Sequence, residues 1–205
     1  VHGLTIGEYA NMINGQNWLE DASQCSLKVV TCLNYNHKKK YSLPIPPSPN
    51  LPNMRSVYLY PSLCFFEGTN ISIGRGTDFP FQVYGSPNLK DGKFNFTPLP
   101  KFGAKNPKHK GVLCVGNDLR KLKIDSLFSI KELNLDWLVS CYHNSKLPSE
   151  FFNKNNFFNL LAGTDKLMNL IKGGANALQI RETYQKDLIK FKELRKKYLL
   201  YDDFE

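Results

Sequence analysis

The sequence predicts an α+β protein, a domain of mixed β-sheet and helix, preceded by the last αβ unit of an α/β domain. Three observations carry this reading. From Val57 to about Val115 the apolar runs are short and divided by Gly and Pro clusters, as strands and turns are. After Ser129 the apolar spacing shifts to the three-and-four rhythm of amphipathic helices. Ahead of both, one capped helical segment and one alternating run stand before a proline-rich stretch. Strands first and helices afterwards indicate segregated layers, and 205 residues suffice to bury a core.

Thr5-Ile-Gly-Glu8 has the form of a capping box, in which the Thr hydroxyl accepts a first-turn amide and Glu8 reaches back. The helix it opens runs through Tyr9, Ala10, Met12 and Ile13 and ends near Gly15. Leu27, Val29, Thr31 and Leu33 then alternate with Lys28, Val30 and Cys32, which predicts a strand. Between Leu43 and Pro52, five of ten residues are proline. That composition excludes helix or central strand and predicts an extended connection, although Ile45 and Leu51 would favour a surface to pack on. The domain boundary is placed here, dividing 1–53 from 54–205.

Strands are expected within Val57–Phe66, Phe81–Tyr84, Phe94–Leu99 and Gly111–Val115. Ser129-Ile-Lys-Glu132 is a second capping box, opening a helix through Leu133, Trp137, Leu138 and Cys141. Thr164-Asp165 starts a short helix that Gly173-Gly174 ends. From Ala177 to Leu200 a long amphipathic helix would turn Leu178, Thr183, Leu188, Phe191, Leu194 and Tyr198 inward, leaving its Lys and Arg residues solvated.

Composition narrows the function classes. The net charge of +9 gathers at His37–Lys40, at Lys101–Lys110 and on the last helix. Such a surface suits an anionic polymer, or simply a solvated exterior. No nucleic-acid motif accompanies it, so nucleic acid is not expected as a partner. No run approaches the roughly 18 apolar residues of a membrane span. The first residues carry neither a basic nor an apolar signal region. Cys25, Cys32, Cys64, Cys114 and Cys141 form no CxxC pair and no zinc spacing with histidines. Most are expected to be buried small hydrophobes. No metal or cofactor is expected, since phosphate-loop, Gly-x-Ser-x-Gly and HExxH patterns are all missing from the sequence.

The densest polar segment follows Tyr60-Pro-Ser-Leu-Cys-Phe-Phe. It holds Glu67, Thr69, Asn70, Arg75 and Thr77, punctuated by Gly68, Gly74 and Gly76. Glu67, expected to follow an apolar strand, would be partly desolvated, with a raised pKa suited to a general acid or to binding hydroxyls. The plainer alternative is an ion pair with Arg75 that pins the loop. Arg75 between two glycines suits a bidentate grip on a carboxylate, and Thr69, Asn70 and Thr77 are of the kind that read sugars. His2 stands before the first helix cap, as a surface or packing histidine would; His109 and His143 have weaker claims.

These residues bear a family likeness. Val1-His2-Gly3-Leu4-Thr5-Ile6-Gly7-Glu8, Pro47-Ser48-Pro49-Asn50-Leu51-Pro52, Tyr60-Pro-Ser-Leu-Cys64, Glu67-Gly-Thr-Asn70, Gly74-Arg-Gly-Thr77, Pro80-Phe81, Gly85-Ser86-Pro87 and Gly163-Thr164-Asp165 all take part. Through nearly its whole length the chain resembles the C-terminal half of the exo-β-N-acetylmuramidases, the NamZ-like peptidoglycan hexosaminidases. The resemblance implies an N-terminal Rossmann-like domain, a smaller C-terminal α+β domain and a cleft between them. It implies release of N-acetylmuramic acid from the non-reducing ends of peptidoglycan fragments, in the bacterial cell envelope, periplasmic or secreted. The family's catalytic glutamate is placed in the N-terminal domain, a region outside this sequence. His2, Glu67, Thr69, Asn70, Arg75 and Thr77 therefore carry over as substrate-binding residues, with Glu67 also a candidate acid. Muropeptides and the N-terminal domain of the same protein are the implied partners. A non-catalytic saccharide-binding module is the alternative.

Overall fold

The computed structural model describes residues 2–129 and 132–205. They form two compact units, Val1–Tyr41 with Arg181–Glu205, and Ser42–Ile180.

In the first unit the Thr5 box forms as expected. Thr5 Oγ1 accepts from the Glu8 amide at 3.3 Å, and Glu8 Oε2 accepts from the Thr5 amide at 2.7 Å. Helix α1 (Ile6–Gly15) follows. The strand expected at Leu27–Leu33 does not form. Residues 23–32 belong to no helix or strand. The Cys32 amide instead donates to the Tyr201 hydroxyl at 3.0 Å, and Val30 and Leu33 lie exposed. Alternation prepares a segment for a sheet, but only a neighbouring strand supplies the ladder.

The second unit opens with a correction. Val57–Phe66 was expected as a strand, yet Met54–Leu63 is helix α2 and Cys64–Gly68 a 3-10 turn. Asn53 caps α2, its side chain accepting from the Ser56 amide at 3.0 Å. Ser56, Leu59 and Leu63 fall on one buried face, which is helical spacing. The Val and Tyr residues that suggested strand express a propensity that packing overrides.

Three short strands form one antiparallel sheet in the order β1-β3-β2. They are β1 (Val83–Ser86), β2 (Phe94–Phe96) and β3 (Cys114–Asp118), each shifted or shorter than expected. Helices α3 (Ile124–Ser129), α4 (Asp136–His143), α5 (Phe157–Ala162) and α6 (Lys166–Lys172) follow. The capping box at Ser129–Glu132 spans residues outside those described. Leu133, expected inside the helix, lies ahead of α4, which starts at Asp136 with Asn134 Oδ1 accepting the Asp136 amide at 3.0 Å.

Phe66, Ile71, Leu138, Phe151 and Phe158 are wholly buried in this unit. Edge-on aromatic packing joins Phe151 to Phe152 at 5.0 Å and Phe152 to Phe158 at 4.7 Å. The long helix α7 (Ala177–Lys196) starts here and continues into the first unit. Its expected inward face is corrected at three positions, because Leu178, Thr183 and Leu188 are exposed while Ile180 and Arg195 are buried. The cysteines are free, but only Cys114 and Cys141 are buried, against the expectation for most of them. Among the described residues no helix is long and apolar enough to cross a membrane.

Candidate functional site

The site begins where α2 gives way to the Cys64–Gly68 turn, which delivers Glu67 at the start of an ordered loop. Glu67 thus follows a helix and a turn rather than a strand. Backbone bonds fix what comes next. The Asn70 amide donates to Phe151 O at 2.7 Å, Ser72 and Gly85 exchange bonds of 2.8 and 2.9 Å, and the Phe81 amide donates to Ile73 O at 2.8 Å. The chain then turns through Gly74-Arg75-Gly76. Gly76 has φ +85°, and a Cβ there would lie 2.6 Å from Leu99 O. Glycine is required at that position, and it leaves Arg75 on a tightly held corner.

A second loop locks the first from the side. Lys108 Nζ donates to the carbonyls of Phe66 and Ile71, each at 3.1 Å, and to that of Thr69. His109 Nε2 donates to Asn70 O at 2.6 Å. Glu67, Ser72, Arg75 and Lys108 line a small cavity of about 90 Å³. One carboxylate and two cations thus share a confined space.

Its electrostatics follow from burial. Burial raises the Glu67 carboxyl pKa, against the opposing pull of Arg75 and Lys108. The Lys108 ammonium is pushed down to about 8 by burial, with Glu67 resisting and Arg75 adding to the fall. Burial also lowers His109, opposed by its bond to Asn70 O. Among the described residues Glu67 and Arg75 make no direct ion pair; Arg75 Nη2 instead donates to Gly103 O at 3.3 Å.

Several buried polar atoms here have no partner among the described residues: both ends of the Asn70 amide, Ser72 Oγ and Arg75 Nε. Each such atom costs about 1–3 kcal/mol, and their gathering within six residues is unlike ordinary packing. They are donors and acceptors suited to a ligand rich in hydroxyl, amide or carboxylate groups.

The remaining predicted residues fall elsewhere. Thr69 is buried, its hydroxyl donating to Phe66 O at 2.9 Å and accepting from the Ile71 amide at 3.1 Å. Thr77 Oγ1 likewise donates to Gly74 O at 2.7 Å and accepts from the Phe79 amide at 3.0 Å. Both hydroxyls therefore shape turns, and Thr77 borders a second, larger depression. His2 belongs to the first unit, where its ring stacks on Tyr9 at 4.9 Å and Nδ1 accepts from the Leu4 amide at 3.1 Å. Sequence reasoning missed Lys108 and undervalued His109. Lys108 sits in a run of lysines, and no local pattern separates it from its exposed neighbours Lys105 and Lys110.

Comparison with known proteins gives consistent matches. Residues 58–201 match the family described as exo-beta-N-acetylmuramidase NamZ, C-terminal, and residues 1–55 match its N-terminal counterpart. Peptidoglycan beta-N-acetylmuramidase NamZ of Bacillus subtilis is 34% identical over 216 residues, covering 98% of this chain and 50% of that protein. A crystal structure of a DUF1343 family protein from Bacteroides fragilis superposes with TM-score 0.93 at 49% identity, covering 99% of this chain and 57% of its own. A second DUF1343 structure from that organism shares the fold, with TM-score 0.73 at 23% identity over 97% of this chain and 56% of its own. The chain thus spans about half the length of the curated relative it matches.

Proposed function

The chain belongs to the exo-beta-N-acetylmuramidase NamZ family, and from that membership we propose that it forms the C-terminal portion of an exo-acting glycoside hydrolase. Its reaction is release of N-acetylmuramic acid from the non-reducing ends of peptidoglycan fragments. The observation that carries this for the present residues is the pair of unpartnered polar atoms, Ser72 Oγ and Arg75 Nε, on residues that line the Glu67 cavity, with the unpartnered Asn70 side-chain amide next to the lining residue Ile71 in the chain. A muramic acid presents a lactyl carboxylate that glucosamine lacks. Arg75 binds that carboxylate, with Lys108 adding positive potential. Glu67 and Asn70 take hydroxyl and acetamido groups, while Thr69 and Thr77 hold the loop that presents them. His2 is carried as a substrate-binding residue by the family resemblance alone, and the general acid comes from the N-terminal part of the longer enzyme.

The same proposal assigns 1–53 to the end of a Rossmann-like N-terminal domain and 54–205 to the C-terminal domain. Its support is the change of family match between residues 55 and 58. The bacterial cell envelope is the proposed location, because the polymer is there.

Arg75→Lys in the full-length enzyme is the test. Loss of the bidentate fork lowers kcat/KM on a chromogenic muramic acid glycoside by about tenfold or more. Unchanged kinetics would remove Arg75 from the site. Because the chain spans half of its curated relative, a second reading is a saccharide-binding module that is inactive alone. Turnover by this chain without an N-terminal half would exclude that reading and favour Glu67 as the acid.

A further inference from the structure

Phe102 is 90% exposed, more than any other described large apolar residue of its unit. A lone exposed apolar side chain is ordinary on a protein surface. Phe102 differs in how firmly its backbone is held. Lys101 and Ala104 exchange two backbone hydrogen bonds of 3.1 and 2.9 Å, closing the turn whose tip carries the ring. Gly103 O, also at the tip, accepts from Asn50 Nδ2 at 3.0 Å and from Arg75 Nη2 at 3.3 Å. The turn is thereby tied to two other loops.

Beside the ring lies a depression of about 320 Å³ whose lining includes Asn50, Thr77, Asp78, Lys101 and Phe102. Lys101 Nζ pairs with Asp78 across part of this lining. The surroundings are an exposed aromatic face, an amide and a paired carboxylate, with proline rings between them. A protein partner would ask for a broader apolar patch. A pyranose asks for this combination: its flat C–H face stacks on an aromatic ring while its rim hydroxyls take amide and carboxylate partners. Arg75 connects the two places, lining the Glu67 cavity and also holding the Phe102 turn.

We propose that the Phe102 turn and the Asn50–Asp78 depression form a second saccharide subsite, which holds the sugar ring linked to the N-acetylmuramic acid bound at Glu67 and Arg75. This rests on the proposed function, because the first ring must occupy the Glu67 cavity for the second to reach Phe102. The subsite makes the site read a disaccharide rather than a single sugar. Asn50 and Asp78 orient the second ring, and Phe102 covers one of its faces.

Calorimetric titration of the chain with N-acetylmuramic acid and with the β-1,4-linked disaccharide N-acetylmuramyl-N-acetylglucosamine tests this. The disaccharide is expected to bind about tenfold more tightly than the monosaccharide. Phe102→Ala abolishes that advantage and leaves monosaccharide affinity unchanged, while Phe102→Trp preserves it. Matching thermal melts exclude a folding defect at so exposed a position. Equal affinity of the wild-type chain for both sugars overturns the subsite, and so does an advantage that survives Phe102→Ala. A fall in monosaccharide affinity in that variant also overturns it, assigning Phe102 a general structural role. Binding of neither sugar to the wild-type chain refutes the muramic acid site itself, an outcome distinct from failure of the subsite alone.

Discussion

Replacing Lys108 with methionine keeps the length of the side chain and removes its charge and its donors. In the folded protein the Lys108 ammonium is held near pKa 8, against an ordinary value of 10.5. That gap corresponds to about 3 kcal/mol, by which burial disfavours the charged form. The carbonyls of Thr69 and Ile71 have no other donor among the described residues, whereas Phe66 O also accepts from the Thr69 amide and hydroxyl. Lys108→Met therefore strands two carbonyls at about 1–3 kcal/mol each while relieving a buried charge of similar cost. Near neutrality the two effects largely cancel, and total stability is a poor readout.

The pH dependence is the sharper one. Between about pH 8 and 10.5 the unfolded chain keeps the Lys108 proton and the folded chain has lost it. The unfolded state binds more protons there, so this residue makes stability rise with pH. Burial pushes the thiols of Cys114 and Cys141 up to about 12, which acts in the opposite direction over part of the same range. Both proteins share those thiols, so they cancel in a difference. Urea unfolding of wild type and Lys108→Met at intervals from pH 7 to 10.5 should give a stability difference that grows by about 3 kcal/mol in favour of wild type. A difference that stays flat across the range would refute the assignment of Lys108 as a buried ammonium.

Glu67 carries the mirror case. Its folded carboxyl is raised, so its contribution is present below the ordinary value of 4.5 and is lost as pH rises through the folded value. Glu67→Gln should match or exceed wild type in stability at pH 7 and lose that advantage at pH 4, while binding N-acetylmuramic acid more weakly; a pH-independent difference in urea melts would contradict this. In the first unit, Arg195 donates twice to Gly3 O and twice to Asp203. Arg195→Met leaves Asp203 without its buried partner and should cost about 3–5 kcal/mol, read as a fall in Tm of about 10 °C. The Asp203 carboxyl, held at about 2 by that arginine, contributes stability that disappears as pH falls from the ordinary 3.8 towards 2. An acid titration of Asp203→Asn that still showed this loss would place it in another group.

Signals contained in a few consecutive residues could be read without coordinates. Thr5 and Glu8 are three apart, and the cap needs nothing beyond that turn. The short helix before Gly173 and the long one from Ala177 were equally plain. Family membership was legible for the same reason, since its motifs are contiguous. At Val57–Phe66 a local signal was present and outvoted: Asn53 and Ser56 form a capping pair, but the residues after them favour strand when taken alone.

By itself, then, the sequence determined the polar crowding between Glu67 and Thr77, the turns that glycine permits there and the family to which the chain belongs. Tertiary structure decided which of those polar groups are free. It occupied the hydroxyls of Thr69 and Thr77 with backbone, kept Glu67 and Arg75 from pairing and left the side chains of Asn70 and Ser72 without partners among the described residues. It also chose Lys108 from a run of lysines and aimed it at carbonyls 37 to 42 residues earlier in the chain. The physical reason is range. Capping and turn preference act within a few residues, whereas burial, desolvation and partner choice depend on segments that only the folded chain brings together.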